Sequence, residues 1–153
     1  MWKLEAFARN LLKLNEDAAF KKVISDKEIQ LEAVRLNTEE QLYIRGVDVH
    51  GNKLRSIYAR FGKFYADRTI QIKNEKGQPT DRVTMRDTGA MYKTEKAIIK
   101  ANELKLDINT IKDGKDLQLE WGQFVGLDTV SKVQLVDKAK PIIKEYVKNT
   151  ILQ

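Results

Sequence analysis

The sequence contains no cysteine, one histidine and two prolines. Without cysteine there are no disulfide scaffolds, zinc ribbons, iron–sulfur clusters or thiol nucleophiles. The same absence fits a reducing compartment of synthesis. The single histidine, His50, has no nucleophile near it in a recognisable arrangement and reads as an exposed turn residue. Asp48 and Asn52 flank it at a spacing loosely like a calcium loop, but no acidic ligand follows at the required distance. There is no phosphate-cradling glycine loop and no Asn-x-Ser/Thr sequon. No run approaches the ~18 apolar residues of a membrane span. Met1-Trp2-Lys3-Leu4-Glu5 is amphipathic and charged from the start, so no targeting segment is expected.

What remains is a chain of 153 residues, 42% hydrophobic and 33% charged. A chain of this length buries roughly 68–70% of its unfolded surface and needs no metal to fold. One domain over 1–153 is expected: N-terminal helices over 1–45, a basic loop-rich segment over 46–92, a β-hairpin region over 93–121 and a C-terminal helix over 128–153.

The formal charge is +6, and it is unevenly placed. Lys53–Arg86 holds nine basic residues against three acids, which is the whole excess. Tyr58, Phe61, Phe64 and Tyr65 are interleaved there. Cations neutralise phosphates and rings stack on bases, so the segment is a candidate nucleic-acid surface. It equally fits a solvated basic loop or a patch facing an acidic protein. The candidate contacts to phosphate or an acidic partner are Arg55, Arg60, Lys63, Arg68, Lys73, Lys76, Arg82 and Arg86.

Periodicity places the elements. Leu4, Phe7, Ala8, Leu11 and Leu12 form one apolar stripe and predict a helix over Trp2–Leu14. Asn15-Glu16-Asp17 either interrupts that helix or caps a continuation carrying Phe20, Val23 and Ile24. Ser25-Asp26-Lys27-Glu28 matches a capping box. The helix it opens should bury Leu31, Val34, Thr38 and Leu42 and end at Ile44 or Arg45, before Gly46. Arg68-Thr69-Ile70-Gln71-Ile72 alternates like a short strand. Residues 74–82, with Gly77 and Pro79, read as an exposed loop, and the stretch 73–86 is expected to be mobile until a neighbouring subunit covers it. Lys96–Ala101 and Glu103–Ile108 read as paired strands, with Asn102 in the turn and Leu104, Leu106 and Ile108 on one face. Lys112-Asp113-Gly114-Lys115 is a further turn. Asp128 or Thr129 caps the last helix, where Val130, Val133 and Val136 or Asp137 share a side. Pro141 either kinks that helix or opens a second one. The order predicts an α+β fold, with terminal helices packed on a small antiparallel sheet.

Asp87-Thr88-Gly89-Ala90 matches the short signature of aspartic proteases. That chemistry needs two aspartates sharing one proton, here from a symmetric dimer. Arg86 stands where those enzymes carry a strongly apolar strand, and the later apolar-apolar-Gly element is missing. The structural reading is favoured: Asp87 accepts the turn's backbone hydrogen bonds and Gly89 supplies a positive φ. No catalytic residue, cofactor or metal is assigned, and the chain is read as a non-enzyme. Trp121, beside Gly122, reads as a core or interface ring.

Two stretches together carry a family resemblance. One is Asn37-Thr38-Glu39-Glu40-Gln41-Leu42-Tyr43-Ile44-Arg45-Gly46-Val47-Asp48-Val49-His50-Gly51-Asn52; the other runs from Lys76-Gly77-Gln78-Pro79-Thr80-Asp81-Arg82 to Val83-Thr84-Met85-Arg86-Asp87-Thr88-Gly89-Ala90-Met91-Tyr92. The pair is similar to small neck virion proteins of tailed phages of Bacteroides-type bacteria, including the crAss-like phages. The pattern also resembles tail-completion and head–tail joining proteins, with an Asp-Thr-Gly-apolar turn (Asp87–Met91), a β-hairpin near 96–108, an aromatic-Gly pair (Trp121-Gly122) and a C-terminal helix over 129–152. The chain departs from the family at Met91-Tyr92-Lys93-Thr94 and at Gln123-Phe124-Val125-Gly126-Leu127. The resemblance implies a structural virion protein assembled in the host cytoplasm. Copies would form a ring around the DNA channel, in contact with portal, adaptor or tail proteins, with non-specific DNA contact and no membrane. The alternatives from other classes are a sequence-independent nucleic-acid-binding protein and, more remotely, an aspartic-type protease.

Overall fold

The computed structural model describes residues 15–152. The helix expected over Trp2–Leu14 lies outside the described residues. Helix α1, Glu16–Ser25, starts because Asn15 Oδ1 accepts from the amides of Asp17 and Ala18. Helix α2, Lys27–Arg35, is capped by Asp26, whose Oδ1 accepts from Glu28 N at 2.9 Å and Ile29 N at 3.2 Å. The expected capping box thus starts one residue later. A carboxylate is the stronger acceptor for free amides at a helix start, and Ser25 Oγ instead donates back to Lys21 O.

From Leu36 the chain widens into a π-helical segment, Leu36–Arg45, which Gly46 ends with φ +61°. Ile29, Ala33 and Leu36 define the buried face, at helical spacing. Thr38 and Leu42 are buried as expected, but Leu31 is 59% exposed. The wider winding also buries Asn37 and Gln41, which a regular amphipathic reading leaves out.

Residues 68–72 are not a strand but part of helix α3, Asp67–Glu75. Ile70 packs on the core and Lys73, three residues on, is buried beside it, while Ile72 stays 40% exposed. The side chains therefore follow a helical repeat that the local alternation disguises. The segment after α3 makes hydrogen bonds to the residues around it. Gln78 N donates to Lys73 O, Arg82 Nε to Tyr43 O, and Thr84 N to Tyr65 Oη.

Strands β1, Lys96–Lys100, and β2, Glu103–Asp107, pair antiparallel, with Ile98 opposite Lys105. Ala101 and Asn102 turn between them at φ +51° and +58°, the left-handed pair that suits a two-residue hairpin. A second two-stranded sheet joins β3, Ile111–Lys112, to β4, Lys115–Asp116. Helix α4, Leu117–Trp121, follows, and helix α5, Thr129–Ile151, closes the described chain, running on through Pro141.

The α+β architecture holds, with a different layering from the one expected. α5 packs on α1, α2 and the π-helical segment, and the β1–β2 hairpin packs on α2. Ser131 and Ala139 are the buried positions of α5; Val130, Val133 and Val136 are more than half exposed. Small side chains let helix axes approach closely, so they, and not the valines, take the inner face. The main core is built by the loop-rich middle: Leu42, Leu54, Tyr65, Val83, Tyr92 and Phe124. No helix among the described residues is long and apolar enough to cross a membrane.

A candidate site at a cationic groove and an apolar loop

The Asp87-Thr88-Gly89 turn forms one wall of a groove of about 490 Å³. Gly89 takes φ +80° as the turn requires. The amide of Ala90 is satisfied by Thr88 Oγ1 at 3.3 Å, so Thr88, and not Asp87, accepts the turn's hydrogen bond. Asp87 instead faces cations: Lys76 Nζ donates to Oδ1 at 2.5 Å, and Lys112 Nζ is 3.9 Å from Oδ2. The Lys76 hydrogen bond, helped by the charges of Lys76, Lys112 and Lys73, holds the Asp87 carboxyl below its ordinary range. A carboxyl stabilised as an anion is poorly suited to sharing a proton with a second aspartate.

Lys73, expected as a surface contact, is only 7% exposed. Its ammonium lies 4.9 Å from the centroid of the Tyr65 ring. It donates to Gln78 Oε1 at 3.1 Å and Arg86 O at 3.2 Å. Burial pushes its pKa below the usual lysine value, against the opposing pull of Asp87. Gln78 Nε2 also binds Asp87 O, so Gly77 and Pro79 sit in a loop tied to the turn. Arg86 stacks near the rings of Tyr43, at 5.0 Å, and Tyr92, at 5.9 Å. Arg82 bonds Tyr43 O and Asp81.

Met85 lines the groove from a left-handed backbone position, φ +52°. An unbranched residue tolerates that conformation only under constraint from its surroundings. Thr84 supplies it: the residue is buried, receives a hydrogen bond from Arg86 N on its Oγ1, and its carbonyl accepts from Tyr92 Oη. Tyr65 and Trp121 complete the wall in an edge-to-face pair with centroids 5.9 Å apart.

The other half of the basic segment lies apart from this groove lining, on a loop and the first turn of α3. Arg55 Nη2 closes the loop on itself by donating to Ala59 O and Arg60 O. Arg60 and Lys63 both pair with Asp67, and Arg68 is exposed with no ion pair among the described residues. The loop displays apolar side chains to solvent: Ile57 and Tyr58 are 70% exposed and Phe61 99%. The structure thus divides the eight candidate contacts: Arg55, Arg60 and Lys63 lie on the loop and Arg68 in the first turn of α3, Lys73 and Arg86 line the groove, and Lys76 and Arg82 lie outside its lining.

A buried polar junction escaped the sequence reading. Asn37, Gln41 and Arg45, spaced by four on the π-helical segment, reach the chain just before α5. Asn37 Nδ2 and Gln41 Nε2 both donate to Gly126 O, and Gln41 Oε1 accepts from Asp128 N. Arg45 binds both carboxylate oxygens of Asp128 and Ser131 Oγ. The only advance signal was the cap at Asp128, which names no partner. Lys112 was likewise missed, because its turn gave no hint of Asp87. His50 is exposed, and its amide donates to Asp48 Oδ1 in the turn. Among the described residues no cluster of acidic and histidine side chains could hold a metal ion. The chain matches no protein-family model, no curated protein and no solved structure.

Proposed function

We propose that this chain is a structural subunit of a tailed-phage virion, one copy of a ring around the DNA channel at the neck or tail-completion position. The observation that carries the reading is the presence of two separate apolar surfaces left in solvent. One is the loop tip of Ile57, Tyr58 and Phe61; the other is the Val130, Val133, Val136 stripe of α5. Exposed large side chains gathered in patches mark protein contacts. Two different patches on one chain suit a head-to-tail ring, in which one surface meets another on the next copy. Arg55, Arg60 and Lys63 surround the loop tip with charge that sets register without supplying much affinity. The sequence resemblance, over about residues 37–127, supports the neck or tail-completion position. No catalytic role is proposed, and the ion pairs of Asp87 favour a structural part for the Asp-Thr-Gly turn over a proteolytic one.

One observation favours a second reading. Tyr58 and Phe61 stand exposed among Arg55, Arg60, Lys63 and Arg68, which is the composition of a surface that stacks bases and neutralises phosphates. Sedimentation of the full chain, with peptide sequencing of purified virions, tests the first reading. Closed oligomers or incorporation into particles are expected; monomer alone together with absence from virions refutes it. Steep salt-dependent DNA binding by a monomer would favour the second reading.

A further inference from the structure

The groove beside the Asp-Thr-Gly turn has the makings of a ligand site that the assembly reading does not use. Its volume, about 490 Å³, falls within the range of about 300–1,000 Å³ occupied by small-molecule sites. Its walls are apolar and aromatic: Tyr65, Trp121, Met85, Met91, Leu117 and Ile111. Two of these are methionines, whose flexible, polarisable side chains adapt to varied shapes.

The charge inside is one-sided. Lys73, Arg86 and Lys112 line the groove against one acid, Asp87. Asp87 is already bound to Lys76, outside the lining. Arg86 lies against the tyrosine rings and toward Glu39, 3.9 Å away. That leaves the Lys73 ammonium as a buried cation without a carboxylate on it. Its two hydrogen bonds go to neutral oxygens, and its other contact is the face of the Tyr65 ring, 4.9 Å away, which carries no formal charge. A buried charge so placed is penalised by lost hydration, and a counter-ion offsets that penalty. The depressed pKa of Lys73 agrees with the geometry.

We infer that the groove binds a small amphiphilic carboxylate: an aromatic or aliphatic body against Trp121, Tyr65 and Met85, with its carboxylate on Lys73 Nζ. Of the three cations in the lining, Arg86 faces Glu39 and Lys112 faces Asp87, so Lys73 alone is turned to no carboxylate. One such ammonium matches a singly charged head better than a phosphate, which calls for several converging donors. The inference does not rest on ring assembly, so either can fail without the other.

The test uses the full chain, isotope-labelled, titrated with 2-naphthoate and separately with the neutral 2-naphthylmethanol, read by amide and indole shifts. Saturable shifts at Thr88, Gly89, Ala90 and the Trp121 indole are expected with the acid, and about tenfold weaker binding with the alcohol. Lys73→Met should lower affinity for the acid by about the same factor and leave the alcohol unchanged. If that variant fails to fold, the comparison of acid with alcohol on the native chain decides alone. Absence of saturable shifts at these positions, or equal affinity for acid and alcohol, overturns the proposal.

Discussion

Arg45 and Asp128 form a two-pronged ion pair, Nη1 to Oδ2 at 2.5 Å and Nη2 to Oδ1 at 2.8 Å, that joins the end of the π-helical segment to the start of α5. Asp128 is also the cap of α5, since its Oδ1 accepts from Ser131 N at 3.0 Å. One carboxylate, 2% exposed, therefore serves two elements.

Removing it should be costly. Asp128→Ala leaves Arg45 without its partner and α5 without its cap, a loss of about 3 kcal/mol. Asp128→Asn keeps the capping oxygen and should lose less. Denaturant unfolding of the two variants checks the order. The Arg45 hydrogen bond, the largest influence on it, holds the Asp128 carboxyl down to about 2. Its folded pKa lies below its unfolded one, so the stabilisation is complete above the ordinary carboxylate range and is lost as pH falls toward about 2.

Glu95 behaves in the opposite sense. It is buried, neither carboxylate oxygen has a hydrogen-bond partner among the described residues, and burial raises its pKa from 4.5 to about 8. The folded chain then holds a proton that the unfolded chain releases, and stability falls as pH rises between those two values. Glu95→Gln should abolish this slope. Melting temperatures of the two proteins should converge in acid and separate in favour of the variant as pH approaches about 8. Parallel melting curves across that window would show that Glu95 is not buried as a neutral acid.

Gly46 and Gly89 both take positive φ, but they differ in space. A Cβ on Gly46 would lie 2.9 Å from Arg82 Cβ and from Val83 O, whereas the nearest atom at Gly89 is Arg86 Nε at 3.7 Å. Gly89→Ala should cost about 1 kcal/mol from backbone conformation alone, and Gly89→Val about 1–3 kcal/mol. Gly46→Ala adds a backbone clash and should exceed Gly89→Ala by about 2 kcal/mol. Asp87→Asn, which loses only exposed ion pairs, should stay within about 1 kcal/mol of the native chain. Thermal unfolding of the four variants gives the ranking.

These positions show how far the sequence could be read. Helix ends marked by a local device were legible: Asn15, Asp26 within one residue, Gly46 and Asp128 each announce themselves through short-range chemistry. The β1–β2 hairpin was legible because its alternation and its Ala101-Asn102 turn agree. Features set by distant partners were not. Ile70 and Ile72 alternate in sequence, yet only Ile70 meets the core. The valines of α5 have the right period for an inner face, but Ser131 and Ala139 take it. The groove draws Lys73, Asp87, Lys112 and Trp121 from four separate segments, and no local pattern joins them. The eight basic residues were found by type and stretch, and their different placements emerged only from the fold.

The surfaces assigned to assembly can be tested by variants that leave the core alone. Phe61 is 99% exposed and Val133 57%, so Phe61→Ser and Val133→Ser should change stability by no more than about 0.5 kcal/mol. Each should shift sedimentation toward monomer, because each removes one side of a head-to-tail contact. Unchanged oligomers in both variants would place the contacts elsewhere.

The most direct measurement for the central claim is electron microscopy of phage particles purified from infected cells, with a label fused to this chain. The account predicts label at the head–tail junction of every particle, arranged as a ring about the axis through which DNA passes. Particles without label, with the chain recovered only as free monomer, would contradict it.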